Sequence, residues 1–493
     1  MTEKTNAPKA DSGDALAFSS VEDLAALLAR RKVSPVELME TFLRRIERQN
    51  PALNAFLTVT RAKALEDAKQ SEKFLQRRRP RSPLEGIPIA IKDNLYTAGV
   101  RTTAGSKILR DFVPRHDATA VARLRKAGAV LLGKTNLHEF AYGVTTGNPH
   151  FGAAHNPWDL ERIPGGSSGG SAAAIAAGLC VASLGTDTGG SIRIPASLCG
   201  IFGIKPSFGR VSCYGAVPLA PSLDHVGPLA RTAGDAAVLL GVIAGADPLD
   251  DSTLAQPRLK PFADARQISA RLRPRFTKKR PLRLGWPRDY FFDAIDPEVV
   301  FAMDAAARSF KELGAIMEEV SLPHVRDGDA PSTAIALAEA TYVHEAEGWF
   351  PAHAADYGED VRKRLEMGRD IRAADYLAAL DVRKRVRADF GAAFERVDAI
   401  LAPATPIPAP RIGENVVMIG ATEESVRSAL IRTNRPANLT GLPALSMPCG
   451  WTRGGLPIGM QLIGKQWREL DLLVIARLFE QANPEFRRRP PVH

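Results

Sequence analysis

Between Leu184 and Pro195 the chain reads Leu-Gly-Thr-Asp-Thr-Gly-Gly-Ser-Ile-Arg-Ile-Pro, with two glycines immediately before Ser191. Glycine reaches backbone dihedrals that a Cβ blocks, so successive N–H groups can converge on one point. Such a concave row of donors is an anion nest. A serine at its rim is laid out as a nucleophile whose product oxyanion is already solvated. The same residues also fit a tight Gly-Gly turn capped by serine. As a nucleophile Ser191 needs a base, and no histidine accompanies it. Upstream, Gly86-Ile87-Pro88-Ile89-Ala90-Ile91-Lys92-Asp93-Asn94 places Lys92 at the end of an apolar, β-branched run. That pattern reads as a buried strand delivering one amine to the interior. Desolvation lowers a lysine's pKa, so its neutral form can act as a base, although a strand-end lysine can also snorkel to water. A third segment, Pro164-Gly165-Gly166-Ser167-Ser168-Gly169-Gly170-Ser171-Ala172, opens an Ala-rich helix, where Ser168 and Ser171 fit as caps.

The elements that must position these residues alternate. Ser34-Pro35-Val36-Glu37 is a capping box with proline at the first helical position, opening a helix to about Glu47. Strands are expected near Ala55–Val59, through Lys92, and at Ala129–Leu132, Cys180–Leu184, Leu282–Trp286 and Ala399–Ala402. A hairpin-like pair, Ala444–Pro448 and Gly459–Ile463, closes the sheet. Helices are expected at Ala62–Leu75, Ala118–Lys126, Ala172–Ala177, Ala236–Ile243, Glu298–Glu312, Ala334–Glu345, Ala374–Glu395 and Glu424–Thr433. Strand–helix alternation predicts an α/β sheet covered on both faces.

Two motif matches fail on context. Gly165-Gly166-Ser167-Ser168-Gly169 fits the nucleophile elbow of α/β-hydrolases, which requires a strand running into the serine. Asn156 to Pro164 reads as a loop instead. Gly128 to Thr135 fits a phosphate-cradling expression whose middle residues must form a loop, yet Ala129 to Leu132 read as the strand itself.

The three segments together resemble the amidase signature family. The resemblance continues through Gly200–Ser207, Pro218–Pro228, Gly441–Leu445 and Gly455–Gly459, and covers roughly Ser20 to Gln481. It implies one large domain, a central mixed β-sheet covered by helices on both faces. The expected organisation is a polar tail over 1–16, the domain over 17–481 and a basic tail over 482–493. The reactive core spans about 85–230 and a divergent helical region about 247–395. Carried over by position, the family's triad falls on Ser191 as nucleophile, Ser167 as the bridging serine after a cis peptide bond, and Lys92 as base. The N–H groups of Thr188, Gly189, Gly190 and Ser191 match its oxyanion hole. Asp187 and Arg193 look like a supporting ion pair, and Ala141 and Tyr142 face the cleft by resemblance.

Composition narrows the class. A 493-residue chain is long enough for a large core, and no Gly/Ser-rich linker separates Lys92, Ser167 and Ser191. Cys180, Cys199, Cys213 and Cys449 have no metal-ligand spacing, and so few cysteines fit a reducing, cytoplasmic setting. Met1 to Asp14 lacks a secretory core. Ala172 to Leu184 is too short to span a bilayer, so no membrane partner is expected. The net charge is +10, with basic runs at Arg77–Arg79, Arg271–Arg283 and Arg487–Arg489. Aromatics are not interleaved with them as a single-strand binder needs. Nucleic acid is therefore not expected as a partner, and a homodimer is left open.

These readings converge on an enzyme that needs no metal or cofactor. It would hydrolyse the amide of a small molecule, and equally an ester or carbamate, through an acyl-enzyme on Ser191. The alternative within the same resemblance is the glutaminase A subunit of a tRNA-dependent amidotransferase. Tyr357-Gly358-Glu359-Asp360-Val361-Arg362-Lys363-Arg364-Leu365 is similar to a segment there that carries a substrate-binding arginine, which falls on Arg364. Gly133 to Gly152 and Pro218 to Pro228 look instead like free-standing amidases, the expectation preferred on sequence. A non-catalytic binding protein on this scaffold is disfavoured by the intact triad positions.

Overall fold

A computed structural model of the chain describes residues 12–259, 270, 276–277 and 279–491. Most of the polar Met1–Asp14 segment and five residues at the start of the Arg271–Arg283 run lie outside them. Among the described residues one eleven-stranded sheet organises the molecule. In chain order its strands are β1 (Phe56–Val59), β2 (Pro88–Lys92), β3 (Val130–Thr135), β4 (Ala182–Asp187), β5 (Phe202–Lys205), β6 (His225–Ala230), β7 (Arg283–Trp286), β8 (Ile316–Glu319) and β9 (Ala399–Pro403). A hairpin of β10 (Val416–Ile419) and β11 (Thr422–Ser425) stands apart, and β12 (Ala444–Trp451) and β13 (Pro457–Gly464) complete the sheet. The order across it is β1-β3-β2-β4-β6-β5-β12-β13-β9-β7-β8. β2 runs parallel to both β3 and β4, and β7 to both β8 and β9. The pairs from β4 through β6, β5, β12 and β13 to β9 are antiparallel. The sheet is therefore mixed, as expected.

The reason for the apolar runs is burial on both faces. β2 (PIAIK) and β4 (ASLGTD) are buried at every residue, which is how a central parallel pair reads in sequence. Because β2 and β4 are neighbours, with Ile91 opposite Leu184, their C-terminal ends lie side by side. Lys92 ends one and Asp187 the other. The helix Gly169–Ala176 (GGSAAAIA) is buried throughout. Its small residues let it lie against backbone: a Cβ on Gly170 would meet Asn136 O at 2.5 Å and Ala55 O at 2.6 Å. The helix start, and Ser167 before it, are thus pressed toward the ends of β2 and β4. Among the described residues no helix is long and apolar enough to cross a membrane.

Several elements depart from expectation for identifiable reasons. The Ser34 capping box is present in both directions, Glu37 N–H to Ser34 Oγ at 3.1 Å and Ser34 N–H to Glu37 Oε2 at 2.8 Å. Its helix continues past Glu47 to Leu53, where Asn54 takes the left-handed conformation with φ 45°. β6 reads poorly as a strand because Gly227 and Pro228 interrupt it. Pro228 is tolerated because β5 pairs β6 only at Phe202–Ala230 and Gly203–Leu229, so no partner on that side asks Pro228 for an N–H. The segment expected as one helix over Glu424–Thr433 begins as β11. Ser425 then caps a helix over Val426–Arg432 by accepting from Ser428 N–H at 3.1 Å.

The close approach at Gly170 gives a direct stability test. Gly170→Ala forces backbone to move rather than a flexible side chain, and overpacking of this kind costs about 1–3 kcal/mol. The variant is expected to unfold at a lower temperature and a lower denaturant concentration than the parent. Unchanged midpoints would mean that the helix is free to shift.

Candidate active site

Lys92 is fully buried, as is Ser167. Lys92 Nζ lies 2.8 Å from Ser167 Oγ, 2.7 Å from Thr186 Oγ1 and 3.5 Å from Thr186 O. Asn94 Nδ2 also donates to Thr186 Oγ1, at 3.1 Å. Burial is the dominant influence on the amine and lowers its pKa to about 7, against the pull of the Asp187 and Asp224 carboxylates. A neutral amine is therefore accessible near neutral pH. The Gly166–Ser167 peptide is cis. Ser168 N–H donates to Ser191 O at 3.2 Å, fastening the loop of Ser167 to that of Ser191.

Ser191 follows β4 in a turn built around Asp187. Asp187 is buried, and so is Arg193. Asp187 Oδ1 accepts from Gly190 N–H at 2.8 Å and Asn438 Nδ2 at 2.8 Å, and Oδ2 from Ile192 N–H at 3.0 Å. Arg193 closes the pair with Nε and Nη2 at 3.2 and 3.1 Å. Burial alone would raise the Asp187 pKa, but Arg193, Lys205 and Asn438 outweigh it and hold the carboxyl well below the usual range. This wiring changes one expectation. The Gly190 N–H, counted from sequence with the oxyanion donors, is committed to Asp187. Thr188, Gly189 and Ser191 keep N–H groups with no hydrogen-bond partner among the described residues. Gly190 still shapes the turn: its φ is +129° and a Cβ there would meet Asn434 Cβ at 2.7 Å.

Ser191 lines a cavity of about 280 Å³ together with Thr188, Gly189, Ala141 and Tyr142. A larger cavity of about 410 Å³, near Phe18 and Arg231, contains neither serine nor Lys92. The Tyr142 hydroxyl is buried without a partner. Arg364 donates to Tyr142 O at 2.6 Å and lies over the Tyr142 ring, 4.8 Å from its centroid. It also pairs with Asp360, which holds His138 Nε2 at 2.9 Å. Arg427 and Arg435 line the same cavity. Neither was singled out from sequence, because both lie where no motif marks them. Thr186 and Asn438, by contrast, were within reach, one inside the Ser191 segment and the other three residues before Gly441.

The two rejected motifs are accounted for by geometry. No strand leads into Ser167. Lys134 lies within β3 and is buried, its amine bonded to Leu95 O at 2.7 Å and Thr102 Oγ1 at 2.6 Å, with Asp93 at 3.3 Å. It is a structural cation and not part of a phosphate loop.

Comparison with known proteins agrees with this geometry. Residues 37–473 match the family model described as Amidase. The A subunit of the glutamyl-tRNA(Gln) amidotransferase of Carboxydothermus hydrogenoformans is 43% identical, over 97% of this chain and 99% of the relative. The solved structure of the corresponding chain from Thermotoga maritima is 34% identical with a TM-score of 0.77, covering 97% of this chain and 98% of that one. A chain from a vestigial protein complex bearing on the origins of an s-triazine catabolic enzyme is 36% identical, with a TM-score of 0.86, covering 94% and 98%. These relatives overturn the expectation that the partner is a small-molecule amide alone, without nucleic acid. By name the first two are subunits of an enzyme acting on a charged tRNA. Charge and aromatic spacing test only for direct contact by this one chain.

The Asp187–Arg193 pair generates a measurable coupling. Asp187→Asn leaves Arg193 buried without its counter-charge, which costs about 3–5 kcal/mol. The double variant Asp187→Asn with Arg193→Gln is expected to lose less than the two single losses added, by about 0.5–3 kcal/mol in denaturation experiments. Strict additivity would show that the pair does not act as a unit.

Proposed function

The chain belongs to the amidase family, and we propose that within it this protein is the glutaminase subunit of a tRNA-dependent amidotransferase, cleaving glutamine at Ser191 and passing ammonia to partner subunits that hold charged tRNA. As a family member it acts on amide carbon–nitrogen bonds. The observation that carries the finer reading is the end-to-end similarity to amidotransferase chains of this kind. The free-standing hydrolase of small amides, esters or carbamates, preferred on the sequence of Gly133–Gly152 and Pro218–Pro228, is the less supported reading.

The site geometry is suited to the chemistry. Neutral Lys92 accepts the proton of Ser167 while Ser167 accepts that of Ser191, and Ser191 Oγ adds to the carboxamide carbon. The free N–H groups of Thr188, Gly189 and Ser191 receive the oxyanion. Donors held in place before reaction need no reorganisation as charge develops. Collapse breaks the C–N bond, and the proton returns from Lys92 through Ser167 to the leaving ammonia. Water then repeats the sequence on the acyl-enzyme and frees the acid.

The base assignment fixes a pH dependence. Below about pH 7 the amine holds its proton and cannot accept another. Above that value it is neutral, so kcat/KM rises from acid and levels off at alkaline pH. Lys92→Arg should stay inactive across the range because guanidinium remains charged. Ser191→Ala is expected to cost about 10⁴-fold or more in kcat with little change in unfolding temperature. Substantial activity in either variant would remove that residue from its role.

The amidotransferase reading is tested by ammonia release from glutamine, with and without partner subunits and charged tRNA. Release should increase when both are present. Full turnover of a simple aryl amide by the lone chain, unaffected by partners or tRNA, would restore the free-standing hydrolase.

A further inference from the structure

The cavity beside Ser191 carries more positive charge than its neighbours neutralise. Arg427, in the helix Val426–Arg432, and Arg435, opening the helix Arg435–Thr440, both line it. Neither guanidinium makes a hydrogen bond or ion pair with any described residue. Arg427 sits over the Tyr142 ring at 5.7 Å, beside Arg364 on the same ring. Burial, with repulsion from Arg364, pulls the Arg427 pKa down to about 9. The Tyr142 hydroxyl and Arg364 Nε are buried and unpartnered in the same place. Charges removed from water are ordinarily paired.

The acidic groups around the cavity hydrogen-bond to other residues; Asp329 lends Arg435 a counter-charge but makes no ion-pair contact with it. Asp360 is taken by His138 and Arg364. Asp329 accepts from Tyr290 Oη at 2.6 Å. Glu339 serves Ser222 and Tyr376, and Asp224 takes the Thr188 hydroxyl and the N–H groups of Leu219 and Ala220. None of these four carboxylates lines the cavity. Leu219, Leu337 and Leu439 do, giving it apolar walls.

We propose that this cavity is an anion-selective acyl site: Arg427 and Arg435, with the Tyr142 hydroxyl, receive a carboxylate on the acyl half of the substrate, and no carboxylate lines it to pair with an ammonium. The substrate class is a short primary carboxamide bearing a carboxylate at its other end, and an amine beside that carboxylate is dispensable. This rests on amide cleavage at Ser191 as proposed above. Glutamine belongs to the class through its carboxylate. Its ammonium meets no carboxylate among the lining residues.

The test compares ammonia release from glutaramate, glutamine and butyramide by the protein together with any partner subunits its activity requires. Glutaramate is expected to match or exceed glutamine in kcat/KM and to exceed butyramide by about 10- to 100-fold, the range for hydrogen bonds to a charged group. Arg427→Gln and Arg435→Gln should each lower kcat/KM for glutaramate by about that factor, mainly through KM, and leave butyramide within about threefold. A merely structural role would depress both substrates alike. Calorimetric binding of glutarate to the unmodified protein needs neither turnover nor a variant, and glutarate should bind at least as tightly as glutamate and more tightly than butyramide. Glutamine favoured tenfold over glutaramate overturns the inference and leaves the glutaminase reading standing. Cleavage of glutaramate but not glutamine supports the inference and removes glutamine as the donor. Equal handling of butyramide and glutaramate, or glutarate binding no tighter than butyramide, also overturns it.

Discussion

The buried carboxylate of Asp187 is the constraint from which the rest of the site follows. It ends β4, and within six residues it gathers the Gly190 and Ile192 N–H groups and the Arg193 guanidinium. Asn438, from a distant part of the chain, completes its shell. A charge this deep is tolerated only because every lone pair is used. The consequence is a rigid turn that points Ser191 into the cavity and leaves the N–H groups of Thr188, Gly189 and Ser191 free. Arg193 extends the same network to Asn434 O and Gln461 Oε1, so β13 and the Asn434–Asn438 segment are held to the nucleophile loop.

The parts of this arrangement that sequence disclosed are those where residue type and spacing carry the chemistry. Lys92 ends an apolar run because β2 is covered on both faces, and a buried amine in that position is legible without coordinates. The Gly-Gly-Ser turn and the Ser167–Ser171 helix start are legible for the same reason: only small residues permit the backbone approaches found there. What escaped depends on long-range placement. The commitment of Gly190 N–H to Asp187 is a matter of dihedral angles that four consecutive candidate donors do not reveal. β6 was hidden by Pro228, whose missing N–H matters only once the extent of the β5 pairing is known. Arg427 and Arg435 sit in a stretch without a motif. Their meaning comes from facing the same space as Ser191, some 240 residues away in sequence.

This division mirrors a division in the molecule. The groups proposed to break the bond come from the end of β2, the loop before the helix Gly169–Ala176 and the turn after β4, within about one hundred consecutive residues. The cavity walls draw on the same stretch, through Ala141 and Tyr142, and on later ones: Leu337 from the helix Asp329–Ala346, Arg364 from Glu359–Arg369, and Arg427 and Arg435 from the region after β11. Residues far apart in sequence thus share one cavity with Ser191. A family can then keep one reaction while relatives differ in what they act on. Apolar clusters bind the two stretches together. Phe140 packs edge-on to His344 and stacks on Trp349, tying the residues before the cleft to the helical wall.

The contacts of Lys92 also dictate the direction in which a proton can travel. A neutral amine has two hydrogens and one lone pair. Thr186 O can only accept, so it takes a hydrogen from the amine. Thr186 Oγ1 already receives a hydrogen from Asn94 and lies 2.7 Å from Nζ. The lone pair can take a hydrogen from either hydroxyl beside it, Thr186 Oγ1 or Ser167 Oγ. Thr186 thus steers the amine: its carbonyl takes one hydrogen, and the electron pair is left to the two hydroxyls.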